Sequence, residues 1–143
     1  MSVIAGRIIV APPAPGLDAW AQAGQWQSVA VVAAGFVFCS GIVAVDPGTG
    51  ERLNGTVASE TRQCFENLRL VLEAAGSSLD RLVQVHALIH DRIEYDNLNR
   101  VYRDFVPDAP PVRTAWDVRI EHGFKVALDA TALAGRRGEG ATP

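Results

Sequence analysis

The sequence predicts an α+β domain in which a mixed β-sheet is covered on one face by two helices. Three observations carry this. The chain has 143 residues, 48% of them hydrophobic and 20% charged, an ordinary globular composition sized for one domain with its own core. Much of its apolar content falls in short runs dense in Val, Ile and Phe, the pattern of strands. Two stretches, beginning at Val57 and after Asp91, switch to helical spacing, and strands precede, separate and follow them.

In chain order, Arg7 to Val10 suits a short strand. Ala11 to Gln27 (APPAPGLDAWAQAGQWQ) is rich in Pro, Gly and Ala without a sustained period, and reads as a long loop carrying Trp20 and Trp26. Ser28 to Ala34 and Phe36 to Asp46 read as two strands joined tightly at Gly35, the second ended by the turn residues Asp46-Pro47-Gly48-Thr49-Gly50. Thr56 suits an N-cap. From there Val57, Thr61, Cys64, Phe65, Leu68, Val71, Leu72 and Ala75 fall on one helical stripe, with Glu60, Arg62, Gln63, Glu66, Arg69 and Glu73 on the other side and Gly76 as the stop.

Leu82 to Ile89 alternates as a strand. Asp91 can cap a second helix that turns Tyr95, Leu98, Val101, Tyr102 and Phe105 inward, and the prolines from Pro107 to Pro111 end it. Val112 to Ile120 and Phe124 to Leu133 are the last two strands, joined through Glu121-His122-Gly123. Residues 1–134 are expected to form the single domain, and 135–143, small and polar, a disordered tail. The strands of Ser28 to Val45 are apolar on both faces, while two helices cover only one. The other face is expected to meet another subunit.

Composition also excludes classes of function. A formal net charge of −3, a pI near 5.5 and no Lys/Arg cluster outside the tail argue against a nucleic-acid surface. No apolar run approaches the ~18 residues of a membrane span. Met1 to Val10 lacks the features of a secretion signal, so a cytoplasmic protein without membrane contact is expected. Cys39 and Cys64 form no CxxC pair and imply neither a disulfide framework nor a zinc site. Lys125 is the only lysine, hence the only candidate for a Schiff base. The sequence carries no GxSxG, P-loop or GxGxxG motif.

Several residues are candidates for chemistry. His86 and His90 have the HxxxH spacing that on a helix serves one metal, but here the period is two, which sets them about 13 Å apart on one strand face. They are expected as polar surface or interface residues, and neither a metal nor another cofactor is expected. Cys39 lies inside a strand without an evident base or cation beside it and reads as a small core residue. Ser40, with the flexible backbone at Gly41, could offer donors to a ligand. Arg113 is more informative. It follows Pro110-Pro111-Val112 and opens a strand, where a guanidinium can be held rigidly at the mouth of a cleft and pair bidentately with a carboxylate. The competing reading is an edge-strand arginine bridged to Asp117.

The runs VFCSGIVAVDPGTGE (Val37 to Glu51), TRQCFENLRLVLEAAGSSLDRLVQVHALIHD (Thr61 to Asp91), Asn99 to Phe105 and Pro111-Val112-Arg113 resemble the Rid family of reactive-intermediate deaminases, also called the YjgF or RidA type. The resemblance covers residues 28 to 133. It implies a chorismate-mutase-like α+β fold, a homotrimer with ligand clefts between neighbouring subunits, and hydrolysis of enamines and imines such as 2-aminoacrylate to a 2-keto acid and ammonia. It further implies that Arg113 binds a substrate carboxylate, that Asn99 and Ser40 are pocket groups, and that a glutamate on the last strand positions or activates water.

This sequence departs from that pattern. The glutamate's position is Ala127. Asp129 shares its strand face but lies about 6.6 Å further along, and is the one acid nominated for water activation. The glutamine of the family's SGQ motif is Ile42, a cysteine often found two after the arginine is Ala115, and the usual proline-tyrosine segment is replaced by the Trp20 and Trp26 loop. These differences imply a divergent member with a larger, more apolar pocket. The leading expectation is therefore a hydrolase of a small imine or enamine carboxylate, with Arg113 as anchor, Asn99, Ser40, Gly41 and Trp26 as pocket groups and Asp129 as acid. The alternative is a non-catalytic trimeric ligand-binding or accessory protein that keeps the carboxylate site. A ribonuclease or translation inhibitor is disfavoured by the acidic charge.

Overall fold

Pairs of residues with positive φ make the first turns of the sheet. Strand β1 (Ser2–Ile4) returns as β2 (Arg7–Val10) through Ala5 and Gly6 at φ 53° and 78°. Likewise β3 (Ala30–Ala33) returns as β4 (Phe36–Val43) through Ala34 and Gly35 at φ 53° and 85°. Two consecutive left-handed residues give the two-residue turn whose twist matches antiparallel strands. The remaining strands are β5 (Leu82–Ile89), β6 (Val112–Asp117) and β7 (Val126–Leu133), and all seven form one sheet in the order β1-β2-β3-β4-β7-β5-β6. Among the described residues β5 and β6 are the one parallel pair. The final strand therefore enters the middle of the sheet, antiparallel to both β4 and β5. The computed structural model describes residues 2–21, 26–106 and 108–135.

Helices α2 (Val57–Ala74) and α3 (Tyr95–Phe105) cover one face. Thr56 caps α2 as expected: its hydroxyl accepts from the Ser59 N–H at 3.1 Å, and the Ser59 hydroxyl accepts from the Thr56 N–H at 2.9 Å. Gly76, at φ 80°, terminates it. The apolar stripe of α2 is buried against Val37, Val85, Ala87, Leu128 and Ala130 of the sheet. Phe65 stacks on Phe105 with ring centroids 4.9 Å apart and meets Tyr102 edge-on at 5.6 Å, which locks α2 to α3. Glu60 departs from the expected polar side. It is fully buried, accepts the Lys125 N–H at 2.9 Å, and has the Lys125 ammonium 3.6 Å from its second oxygen. The lysine that a Schiff base would need is thus held in an ion pair that ties the start of α2 to the start of β7.

Other details also correct the sequence reading. Within the expected loop Ala11 to Gln27, residues Pro15–Ala21 form helix α1, with Pro15 at its first position and Leu17 in the core. Seven residues are two turns, too few to reveal a period. Gly16 allows α1 to sit against the Asp46 to Gly50 turn: its N–H donates to Pro47 O at 2.8 Å, and a Cβ there would fall 2.3 Å from Asp46 O. Asp91 caps a 3-10 turn, Arg92–Glu94, by accepting from the Ile93 N–H, and α3 starts only at Tyr95. Strands β6 and β7 are shorter than expected, ending at Asp117 and starting at Val126, and the expected join between them turns through His122 and Gly123 at φ 62° and 76°. Beyond Gly135 the expected tail lies outside the described residues, as does the side chain of Trp20.

Candidate functional site

Along β7, Val126, Leu128, Ala130 and Ala132 belong to the core beneath the helices, so Ala127, Asp129 and Thr131 face the open side of the sheet. Register carries that face across the neighbouring strands. Ala127 lies between Val43 of β4 and Leu88 of β5, and Leu88 pairs onward with Trp116 of β6. Asp129 lies beside His86 of β5, which pairs onward with Thr114. On the β4 side the register skips from Cys39 to Ile42, so Ser40 and Gly41 bulge opposite Asp129.

A cavity of about 770 Å³ opens on this face. Gly41, Val43 and Leu88 wall it from the sheet, Trp26 and Gln27 from the segment before β3, and Arg119, Glu121 and His122 from the connection between β6 and β7. The position at which the resemblance expects a glutamate, Ala127, lies in register between two of these walls. Trp26 stands on the rim, 83% exposed. A Cβ at Gly41 would meet nothing within 4 Å, so the bulge leaves backbone open to a ligand. Ser40 is engaged otherwise: its hydroxyl and its N–H both donate to Val29 O, at 3.3 and 3.0 Å, extending the pairing of β3 and β4.

Arg113 is on the opposite face. Its register partner Val85 is in the core, and its Nη1 donates to Asn99 Oδ1 at 2.6 Å while the guanidinium carbon sits 4.8 Å over the Tyr102 ring. Asn99 and Tyr102, rather than Asp117, are its partners, and stacking plus one hydrogen bond fix the plane of the fork. The Tyr102 hydroxyl is buried without a hydrogen bond among the described residues, and burial pushes its phenol above the ordinary value against the opposing effect of the Arg113 charge.

Cys39, expected in the core, is half-buried and packs against the core cluster from β4. Burial, reinforced by the negative charge of Asp129, pushes its thiol up to about 12, far from a nucleophilic thiolate. One association escaped the sequence reading. His86 Nδ1 lies 2.7 Å from Asp129 Oδ1, and its ring centroid is 5.0 Å from that of Trp116. A strand-by-strand period places His86 and Asp129 on faces but cannot say that β5 and β7 are neighbours. Within one chain, then, Gly41 and Trp26 gather at the cavity, Asp129 and His86 lie on the same sheet face one row of side chains from its walls Val43 and Leu88, and Arg113 and Asn99 meet on the other side of the sheet.

A seven-stranded mixed sheet with two long helices on one face and a cavity on the other defines a chorismate-mutase-like chain of the YjgF/RidA type. The family model described as Endoribonuclease L-PSP matches residues 16–134, and the chain belongs to that family. A RutC family protein of Pyrococcus horikoshii is 34% identical over 106 residues, which cover 73% of this chain and 84% of that protein. The human 2-iminobutanoate/2-iminopropanoate deaminase is 29% identical over 136 residues, 94% of this chain and 95% of that one. The crystal structure of RidA from an Antarctic Psychrobacter superposes with a TM-score of 0.73 at 29% identity, covering 78% of this chain and 90% of that chain. Among the described residues no helix is long and apolar enough to cross a membrane.

Proposed function

We propose that the chain is a Rid-type hydrolase that converts a small imine or enamine carboxylate to a 2-keto acid and ammonia, working as a cytoplasmic homotrimer whose acting unit is the single domain of residues 1–134. The similarity to a deaminase of 2-imino acids supports the reaction class. The observation that carries the reading is Arg113, a guanidinium held in one plane by Asn99 and Tyr102, while the cavity, whose lining includes Arg119, lies across the sheet. A second copy docked on the open face joins the anchor of one chain to the cavity of another. Phe38 and Trp116, 47% and 46% exposed, are apolar groups that such docking would cover.

In that cleft Arg113 holds the carboxylate, Asn99 keeps the fork aligned, Ser40 shapes the bulge whose Gly41 lets substrate approach the backbone, and Trp26 covers it. Asp129, the acid facing the cavity side, serves proton transfer. A specific observation, alanine at position 127, favours the second reading, an accessory protein that binds such acids without turnover. Generated in situ, 2-iminopropionate should be hydrolysed faster with the protein than without it. Pyruvate binding in calorimetry with no acceleration would leave the accessory reading.

A further inference from the structure

We propose that His86, oriented by Asp129, is the proton-transfer group of the cavity and does the work for which Ala127 has no functional group. The inference rests on the hydrolase reading above. Two neighbouring rows of side chains on the open face carry it. One row is the Ser40–Gly41 bulge, Asp129, His86 and Thr114, and the next is Val43, Ala127, Leu88 and Trp116. Val43 and Leu88 of the second row are cavity walls, and so is Gly41 of the first. Rows two residues apart are separated by about 6.6 Å along a strand. The His86 ring also meets the Trp116 ring, from the cavity's row, with centroids 5.0 Å apart. The contact joins the two rows, so the imidazole is tied to the row that carries the cavity walls Val43 and Leu88.

The bond from Asp129 occupies Nδ1 and leaves Nε2 as the nitrogen to exchange a proton with water or substrate. A carboxylate in that position selects the tautomer protonated at Nδ1, fixes the plane of the ring and stabilises the imidazolium when it forms. In the single chain the two side chains are 29% and 39% exposed, so the pair is not sealed in the core beneath the helices. In the reaction His86 Nε2 takes a proton from water as the oxygen bonds to the imine carbon and the C=N π pair moves to nitrogen. The imidazolium returns that proton to the nitrogen, giving a carbinolamine. Nε2 then takes the hydroxyl proton and passes it to the nitrogen, the C–N bond breaks, and the keto acid and ammonia leave. One water is consumed per ammonia released. His86 is the catalytic residue, and Asp129 serves the proton transfer assigned to it above only through His86, as a positioning residue.

The test measures hydrolysis of 2-iminopropionate and, by calorimetry, binding of pyruvate for wild type, His86→Gln, Asp129→Asn, Ala127→Glu and the Ala127→Glu/His86→Gln double variant. His86→Gln should lower kcat by about 100-fold or more while pyruvate affinity holds, because a lost general base typically costs ~100 to 10,000-fold. Asp129→Asn keeps volume and a hydrogen bond, and should lower kcat by a smaller factor with KM unchanged; it also carries the test should His86→Gln fail to fold. In the Ala127→Glu background the His86 substitution should cost little, since the new carboxylate takes over the proton. Wild-type turnover in His86→Gln overturns the pair and leaves the hydrolase standing. A wild type that binds pyruvate but accelerates nothing until Ala127→Glu is introduced overturns the pair in favour of the accessory reading. A chain that neither binds nor hydrolyses, with or without Ala127→Glu, overturns both.

Discussion

Arg113 owes its orientation to two neighbours. The Asn99 carbonyl takes one donor and the Tyr102 ring supports the plane, so part of the fork's ordering cost is met before a ligand arrives. Arg113→Ala should weaken pyruvate binding by about 2 to 5 kcal/mol, as expected for a carboxylate left without its partner. Arg113→Lys should recover only part of that, because an ammonium has no planar fork. Unchanged affinity in calorimetry would remove Arg113 from the site. Cys39 offers a second test at this scale. Its thiol is raised from 9.0 to about 12, so between those values the folded chain keeps a proton that the unfolded chain has lost. Stability is therefore untouched by this group below about pH 9 and falls above it by up to ~1.4 kcal/mol per pH unit. Burial pushes Cys64 the same way, so urea midpoints should drop above pH 9 and Cys39→Ala should lessen the slope without abolishing it.

At the scale of elements, local signals were strongest where period and punctuation agree. Thr56 and Gly76 bracket α2, and both ends sit where those residues put them. α1 was hidden because Pro15 to Ala21 is shorter than the window a helical period needs, and β1 because three residues hold only one alternation. The Ala34-Gly35 turn suggests an improvement: a left-handed non-glycine residue costs ~1–2 kcal/mol, and asparagine tolerates that conformation better than alanine. Ala34→Asn should raise the thermal midpoint by the equivalent of about 0.5 kcal/mol or more. The Glu60–Lys125 pair should behave asymmetrically. Lys125→Met leaves a buried carboxylate with a backbone N–H alone and should cost near the lower end of ~3–5 kcal/mol, since the lysine side chain is itself 30% exposed. Glu60→Gln keeps an acceptor for that N–H and should cost less, an order that urea denaturation reads directly.

For the whole molecule, the unpaired halves of the site lead to an expected assembly. Light scattering at micromolar concentration should give three chains per particle, and Trp116→Glu, on the open face, should shift that toward monomer while circular dichroism stays unchanged. A wild-type monomer would sink both the trimer and a cleft shared between subunits. The sequence by itself determined which residues are strand and which are helix over most of the chain, which face of α2 is buried, and that Arg113 opens a strand, because period, caps and prolines act over a few residues. It also determined family membership, through runs such as VFCSGIVAVDPGTGE. Only the tertiary structure decided that β7 enters between β4 and β5, that Ala127 therefore stands between Val43 and Leu88, that Asp129 meets His86, and that Arg113 turns away from the cavity toward Asn99. Strand pairing is a choice among distant segments, settled by the packing of the assembled sheet, and the local period of each strand is the same whichever neighbour it takes.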